Sequence, residues 1–582
     1  MGVVERMLRA APHRGAQLAV ATVGRCSIGI TNDPDFREAS LSEQDGLVLA
    51  FSGVLDNAEE LRRRLPDAGA GRAPSPADLV LAGFRGVGEG LLPSLRGDFA
   101  CVVSDGRRLW AFRDQIGFET LFERQDATGV YVATEAKQVL AGAGVAPEPD
   151  VGVIEATFFG DIKDSNVCPL RGVNRLLAGT LLTAEGDSCS TRRYWDPTDL
   201  VETARLSGDE AHERFLELFA QAVRRAVTDD SVVALSGGID SPPIAVFGNP
   251  DHVDGYGRPL PALAEVYPAF PSADETGYIE LVADRLGMPL RTYEPGRQRL
   301  DRLQYWVGLF DGPWSTVAPE GTAQRCREVR ELGCRTLLTG HFAEHVTAAG
   351  QWFLVPHLIW RARFRAAAAQ LAAQRSAGAG RRMLANQVLD AFTPRVLQGR
   401  QLARQPQLPL PAWVDWGRIS ARDAGAALPA RKRWLSFQLP FFGGSTMGEA
   451  DAYSHAVHGV RPRRPWADVD LWEFFVSLPA EVKFPDHRMK GFVRTAFRDK
   501  VPNEILDRRD KTTTNEYFRS RCLDFEALRR WLTAPAYRVP GVDYALLAKE
   551  LEREDMSLAH YLWARDLAAV HAFVDLWDGS TG

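Results

Sequence analysis

The segment Ser236-Gly237-Gly238-Ile239-Asp240-Ser241 narrows the possible folds of this chain more than any other. It follows the apolar run Val232–Leu235 and precedes a stretch opening with Pro242 and Pro243, so it reads as strand, loop and helix start in succession. Glycines let the backbone turn tightly and approach a ligand, so consecutive N–H groups can converge on phosphate oxygens. The helix N-terminus adds partial positive charge, the serine hydroxyls add donors, and proline in the first helical turn sacrifices no hydrogen bond. An aspartate inside such an anion-binding loop is repelled by phosphate unless a divalent cation lies between them, which makes Asp240 a candidate Mg²⁺ ligand. The pattern is not a Walker A loop, which requires GxxxxGK[ST].

The same alternation continues downstream. Leu263–Tyr267 and Thr336–Thr339 are short apolar runs, with helical spacing at Glu275–Leu286 and Gly321–Leu332 between them. Strands alternating with helices imply a parallel sheet covered on both faces. An amphipathic helix at Gly208–Ala226 leads into this region, and from about Ile359 onward the pattern is mostly helical. The first 195 residues instead read as short strands, among them Gly46–Phe51, Phe99–Val103, Leu109–Phe112 and Val130–Ala133. Turn dipeptides such as Asp105-Gly106 and Thr128-Gly129 separate them, and helical spacing appears at Ala58–Leu65 and Pro76–Phe84. A length of 582 residues calls for more than one domain, and the polar stretch Tyr194–Thr203 places the division near residue 200.

Composition excludes several classes. With 45% hydrophobic and 25% charged residues the chain is neither disordered nor fibrous, and a net charge of -6 gives no reason to expect a nucleic-acid partner. No apolar run approaches the roughly 18 residues of a membrane span, and the start MGVVERMLRA has no signal-peptide core. Seven cysteines without a CxxC pair fit neither a disulfide framework nor a zinc site and suit a reducing, cytoplasmic compartment. The average charge hides one stretch: Arg361 to Gln405 holds nine arginines and a single acidic residue, Asp390. It reads either as solvated helix faces or as a docking surface for an acidic peptide or partner protein.

The six positions Ser236–Ser241 resemble the SGGxDS pyrophosphate loop of the N-type ATP pyrophosphatases, which adenylate a substrate. The resemblance extends over nearly the whole chain, to the asparagine synthetase B superfamily. Phe51-Ser52-Gly53-Val54-Leu55-Asp56-Asn57 with Leu61, Leu95–Ala100, Arg113–Gly117 and Ala133–Lys137 are similar to landmarks of that family's glutaminase domain. Leu337-Leu338-Thr339-Gly340 resembles the start of its second nucleotide-side loop, and His487–Lys511 its closing region, with Lys490 and Arg494, Val501-Pro502 and Arg508-Arg509-Asp510-Lys511.

The resemblance implies an α/β protein of two parts. Residues 1–200 would form an Ntn-type, glutaminase-like αββα sandwich. Residues 201–582 would form a PP-loop ATP pyrophosphatase (adenine-nucleotide α-hydrolase-like) parallel-sheet domain, with an Arg/Ala-rich helical insertion at about 355–440. It implies ATP and Mg²⁺, with Leu235, Tyr267 and Gly340 around the adenosine and Ser236, Gly237, Gly238, Asp240 and Ser241 around the pyrophosphate. Asp240 and Glu344 would hold Mg²⁺, Lys511 would stabilise the developing oxyanion and the leaving phosphate, and Lys490 would contact phosphate.

Two departures redirect the chemistry. The family's glutaminases use the amine and thiol of a cysteine exposed at position 2, where this chain has Gly2, and Ser52 stands where an oxyanion-stabilising Asn is usual. Without the nucleophile the covalent route to ammonia is lost. The loop after Gly340 reads His341-Phe342-Ala343-Glu344-His345, with Glu344 where a metal-holding Asp is usual. His341 is either a base for an ammonium nucleophile or a histidine bonded to a loop carbonyl. An adenylate without ammonia needs another amine, which points to relatives that close a ring within one substrate. The long Arg/Ala-rich stretch, Asp274-Glu275 and Arg508–Lys511 look most like lasso peptide cyclases. That likeness implies a precursor peptide as substrate, with a leader-binding protein and a leader peptidase as partners, and no nucleic acid or membrane. A small-molecule lactam synthetase, an ammonia-dependent asparagine synthetase-like enzyme and a catalytically dead scaffold are the alternatives.

Overall fold

The computed structural model describes residues 2–33, 39–65, 74–159, 166–313, 319–347, 354–376, 379–392, 411–415, 446–485, 490–508, 512–554 and 556–577. Five parallel strands form the sheet of the C-terminal half, in the spatial order Leu290–Tyr293, Ala262–Glu265, Ser231–Ala234, Thr336–Leu338, Arg461–Arg463. Alternate residues of each strand enter opposite cores, which is why the runs are continuously apolar. Val233, Leu235, Ala262, Ala264 and Leu338 face a core containing Phe215, Phe219, Ile279 and Phe475. Val232, Leu263 and Leu337 face the other, with Cys326 and Val329. The first strand and the fourth in chain order lie side by side, with Ser231 opposite Thr336. Chain direction across the sheet therefore reverses between them, and such a switch point opens a crevice at the strands' carboxyl ends.

The N-terminal half is layered differently. A six-stranded antiparallel sheet runs in the order Ser188–Arg193, Thr180–Glu185, Arg108–Arg113, Gly97–Ser104, Leu47–Leu55, Ala39–Gln44. One face packs on the helix Pro76–Val87, whose start is fixed by a capping box of Ser75 and Asp78. The other face meets a three-stranded sheet of Gly129–Ala133, Phe122–Asp126 and Asn174–Arg175, through Ala100, Ala111, Leu121, Leu176 and Leu182. Helices Ala136–Ala143 and Val151–Phe158 pack beyond it against the C-terminal helix Leu558–Trp577. The order is helix, sheet, sheet, helix: the αββα sandwich.

The two halves join through buried charge. Arg463 pairs with Asp56, Arg464 lies 3.6 Å from Asp98, and Arg96 lies 2.7 Å from Asp470. Arg225 reaches Asp468 at 2.9 Å and Asp470 at 2.8 Å. Burial pushes the Asp468 carboxyl up to about 6 against the pull of Arg225.

Sequence and structure differ at a few places. The strands Leu290–Tyr293 and Arg461–Arg463 carry no apolar-run signal, because Arg-Pro-Arg spends its side chains on the interface charges. Of the arginine-rich stretch, the described part forms helices Leu354–Trp360, Phe364–Ser376 and Arg381–Phe392. Arg363 pairs with Glu481 at 2.6 Å, and Arg361, Arg365, Arg375, Arg381 and Arg382 are exposed; Arg395, Arg400 and Arg404 lie outside the described residues.

Trp466 couples this scaffold to the site. It is fully buried, packs at centroid distances of 4.6 Å on Phe219 and 6.1 Å on Phe215, and donates from Nε1 to the Asp240 carbonyl at 2.8 Å. Trp466→Ala should destabilise by about 3–5 kcal/mol through the cavity it leaves. Trp466→Phe keeps most of the packing but removes the indole donor to that carbonyl and should cost about 1 kcal/mol. Urea midpoints of both variants at unchanged slope provide the check.

Candidate active site

Three strand ends assemble the site. After Ser231–Ala234 the loop curls on itself: the Ser236 N–H donates to Ser241 Oγ at 2.9 Å, and the Gly238 N–H donates to Ser236 Oγ at 3.3 Å. The loop after Thr336–Leu338 then comes against it. A Cβ on Gly340 would lie 3.0 Å from the carbonyl carbon and Cβ of Asp240 and from the Ser241 nitrogen, so any side chain there would force the two loops a few tenths of an ångström apart. On its other side the loop is held by Glu275, which accepts from the Gly237 N–H at 3.0 Å. Arg508 binds the same carboxylate at 2.6 Å and the Gly237 carbonyl at 3.0 Å, and Thr512 also donates to Glu275. A Cβ on Gly237 would meet those of Glu275 and Tyr278 at 2.9 Å, so this glycine too is fixed by close packing.

The Asp240 carboxylate is gripped by Lys490, whose Nζ donates to Oδ1 at 2.6 Å and Oδ2 at 2.7 Å. Glu344 Oε1 lies 3.9 Å from the same ammonium. Two carboxylates thus converge on one cation position. Among the described residues no group of three or more His, Cys, Asp or Glu side chains could hold a metal. A pair of carboxylates nevertheless suits Mg²⁺, which commonly takes one or two from the protein and completes its shell with phosphate oxygens and water. Lys511 lies outside the described residues.

From Asp240, Gly340 and Glu344 a cavity of about 730 Å³ runs to Thr157, Phe158, Asp566 and Val570. Tyr267 lines it, its hydroxyl donating to Glu265 at 3.0 Å; Glu265 also accepts from Tyr293 at 2.6 Å and Arg325 at 2.7 Å. Arg325 holds the Glu265 carboxyl below the usual range despite burial. Leu235 is buried in the core, so only its backbone can serve a ligand. His341 opens onto the cavity with its side chain exposed, and the protein packed around the cavity lowers its imidazolium to about 4. It is therefore neutral near pH 7.

Glu265, Arg325, Asp451, Trp466 and Tyr517 enter the site without having been singled out in the sequence, whereas Glu275 and Arg508, already read as family-like, turn out to hold the loop. Glu265 had a signal, a lone carboxylate at the carboxyl end of an apolar strand; the others arrive from remote segments. Asp451 is bound by Arg464, whose guanidinium also stacks on Phe118 at 4.3 Å. Phe118 meets Phe342 edge to face at 5.0 Å. These side chains lie between the cavity and a small space of about 30 Å³ at the junction of the two halves, lined by Gly53, Asp98 and Thr120 on one side and Tyr453, Val460 and Arg461 on the other.

An asparagine synthase family model matches residues 214–578, more than half of the chain. This chain belongs to the asparagine synthase family. A glutamine amidotransferase domain model matches residues 3–195. The chain is 24% identical over 482 residues to asparagine synthetase [glutamine-hydrolyzing] 3 of Bacillus subtilis, covering 80% of this chain and 75% of that one. It is 25% identical to the amidase chry2 of Gibberella zeae over 533 residues, covering 80% and 76%. Asparagine synthases are ATP-dependent amide-forming ligases, and this member carries their two-part fold.

Two outcomes follow from the geometry. Gly340→Ala should push the 236–241 loop aside and weaken ATP binding about tenfold or more with little loss of fold, measured by calorimetric titration against a thermal melt. The second concerns acid. Burial lowers His571 to about 4, and lowers His345, His455 and His458 as well. An unfolded chain binds these protons below about 6.5, so their contribution is complete above that pH and is lost as pH falls toward 4. His571, 4% exposed, contributes about 2 kcal/mol of that loss between pH 6.5 and 5. Urea midpoints at pH 7.5 and 5 should therefore diverge less in His571→Gln than in the wild type.

Proposed function

We propose that this asparagine synthase family member closes a macrolactam within a ribosomally made precursor peptide. In the first half-reaction an Asp or Glu side-chain carboxylate of the peptide attacks the α-phosphorus of ATP. The α–β phosphoanhydride breaks, and pyrophosphate leaves into the Ser236–Ser241 loop. In the second, the peptide's N-terminal amine attacks the acyl carbon, and the bond to AMP breaks. A magnesium ion on Asp240 and Glu344 would supply charge neutralisation for the phosphate oxygens. Lys511 is assigned to the developing oxyanion.

The observation that carries the reading is Gly2. A glutamine amidotransferase-type domain spans the N-terminal third, yet its second residue bears no thiol and caps the exposed start of helix Val3–Arg9. With Gly2 in place of a thiol at this position, the amine that meets the acyl-adenylate is taken to enter the cavity with the substrate. A cavity of about 730 Å³ stands toward the upper end of the roughly 300–1,000 Å³ of ligand sites, in keeping with a nucleotide and a peptide segment held together.

His341 fits the second half-reaction. An imidazole lowered to about 4 cannot strip a free ammonium with a pKa of about 8, but the N–H of the tetrahedral adduct is far more acidic. Neutral at working pH, His341 is ready to receive that proton as AMP departs. The exposed arginines of helices Phe364–Ser376 and Arg381–Phe392 suit an acidic leader segment. A leader-binding protein and a leader peptidase complete the proposed system.

The test is mass spectrometry on the enzyme incubated with ATP, Mg²⁺ and the linear precursor peptide. The expected product is one water lighter, with pyrophosphate and AMP formed in equal amounts. Lys511→Ala should abolish it, with the fold intact by circular dichroism. Amide formed only from added ammonium and a free amino acid would instead establish an ammonia-dependent synthetase, and no substrate-dependent pyrophosphate would leave a scaffold.

A further inference from the structure

Lys490 has an uncommon combination of properties. It is 6% exposed, and its backbone lies in the left-handed region at φ +57°, which costs a non-glycine residue about 1–3 kcal/mol. A buried ammonium must be compensated, and a strained backbone persists only where its surroundings enforce it. Both costs place Nζ on the two oxygens of Asp240, at 2.6 and 2.7 Å, with Glu344 at 3.9 Å. Both contacts of Asp240 with Lys490 use carboxylate oxygens that a divalent ion would also need.

We propose that Lys490 is the resident cation of the Asp240–Glu344 pair, standing in the metal position until Mg²⁺ and ATP arrive together. This rests on the adenylation reading above. Without a cation two carboxylates facing one point would repel each other and the phosphates alike. Lys490 bonds both oxygens of Asp240 and lies in ion-pair range of Glu344, so on this proposal Mg²⁺ alone must displace a buried ion pair to bind. ATP changes the balance: its phosphates accept the displaced ammonium, and its oxygens complete the metal's shell. Metal and nucleotide thereby bind as one unit. The carboxylates are never left bare, and the lysine is delivered to the phosphates only when there is an anion to neutralise. The exchange moves charge between partners and breaks no covalent bond.

The test uses Mn²⁺ as the probe, with binding to the full chain read by electron paramagnetic resonance. Nucleotide-free wild type should bind Mn²⁺ weakly, and α,β-methylene ATP should tighten that binding by more than tenfold. Lys490→Met should bind Mn²⁺ without nucleotide about tenfold or more tighter than the wild type. Lys490→Arg, which keeps the charge, should remain weak. Equal or weaker binding in a folded Lys490→Met overturns the proposal. So does tight nucleotide-free binding in the wild type, a result that stands even if the methionine variant does not fold. A wild type that binds neither the ATP analogue nor its manganese complex would instead overturn the adenylation reading, and this proposal with it.

Discussion

The contact between Gly340 and the Asp240–Ser241 backbone is the constraint on which the site depends. Two loops leave adjacent parallel strands at the switch point and meet so closely that a side chain at Gly340 would press on the Asp240–Ser241 backbone. The phosphate loop is curled by its own Ser236 and Ser241 hydroxyls, and the groups that hold it in place against the sheet come from elsewhere. Trp466 binds the Asp240 carbonyl from 226 positions away, and Lys490 its carboxylate from 250. Glu275 reaches the Gly237 N–H across a separation of 38. Such a loop is local in sequence but non-local in what determines its shape. Its stability is tied to that of the whole C-terminal half.

That distinction explains what the sequence made legible. The strand–loop–helix around Ser236–Ser241 is written in consecutive residues, and so are the apolar runs at Leu263 and Thr336. The structure places each within a residue or two of its expected bounds. Tyr267, Gly340, His341 and Glu344 lie on the cavity because they follow strand ends at the same edge of the sheet. Legibility ends where a residue's role depends on a distant partner. Asp451 sits in a helix whose pattern gives no sign that Arg464 will bind it, and Arg461–Arg463 forms the fifth strand without a hydrophobic signature. Glu275 looked like a family landmark, but its contact with Gly237 depends on the fold bringing helix Thr276–Leu286 against the loop. His341 shows the reverse: its position was legible, while its low pKa belongs to the walls around it.

The interface charges tie the N-terminal half to the site. Asp56 and Asp98 lie on the N-terminal segments similar to a glutaminase, and their partners Arg463 and Arg464 directly precede Pro465 and Trp466. These aspartates thus brace the strand end that carries the donor to Asp240. Burial raises the pKa of both Asp56 and Asp98 despite the nearby arginines, so the pairs have been taken out of water at a cost. Removing one partner of a buried pair typically costs about 3–5 kcal/mol, because the other charge is left without compensation. A chain that discarded its N-terminal half would strand Arg463 and Arg464 and loosen Trp466. The residue at position 2 touches none of these contacts. The same interface also turns Arg464 toward Asp451 and seats Phe118 against Phe342, so the N-terminal half supplies part of the wall of the cavity in which the amide is proposed to form.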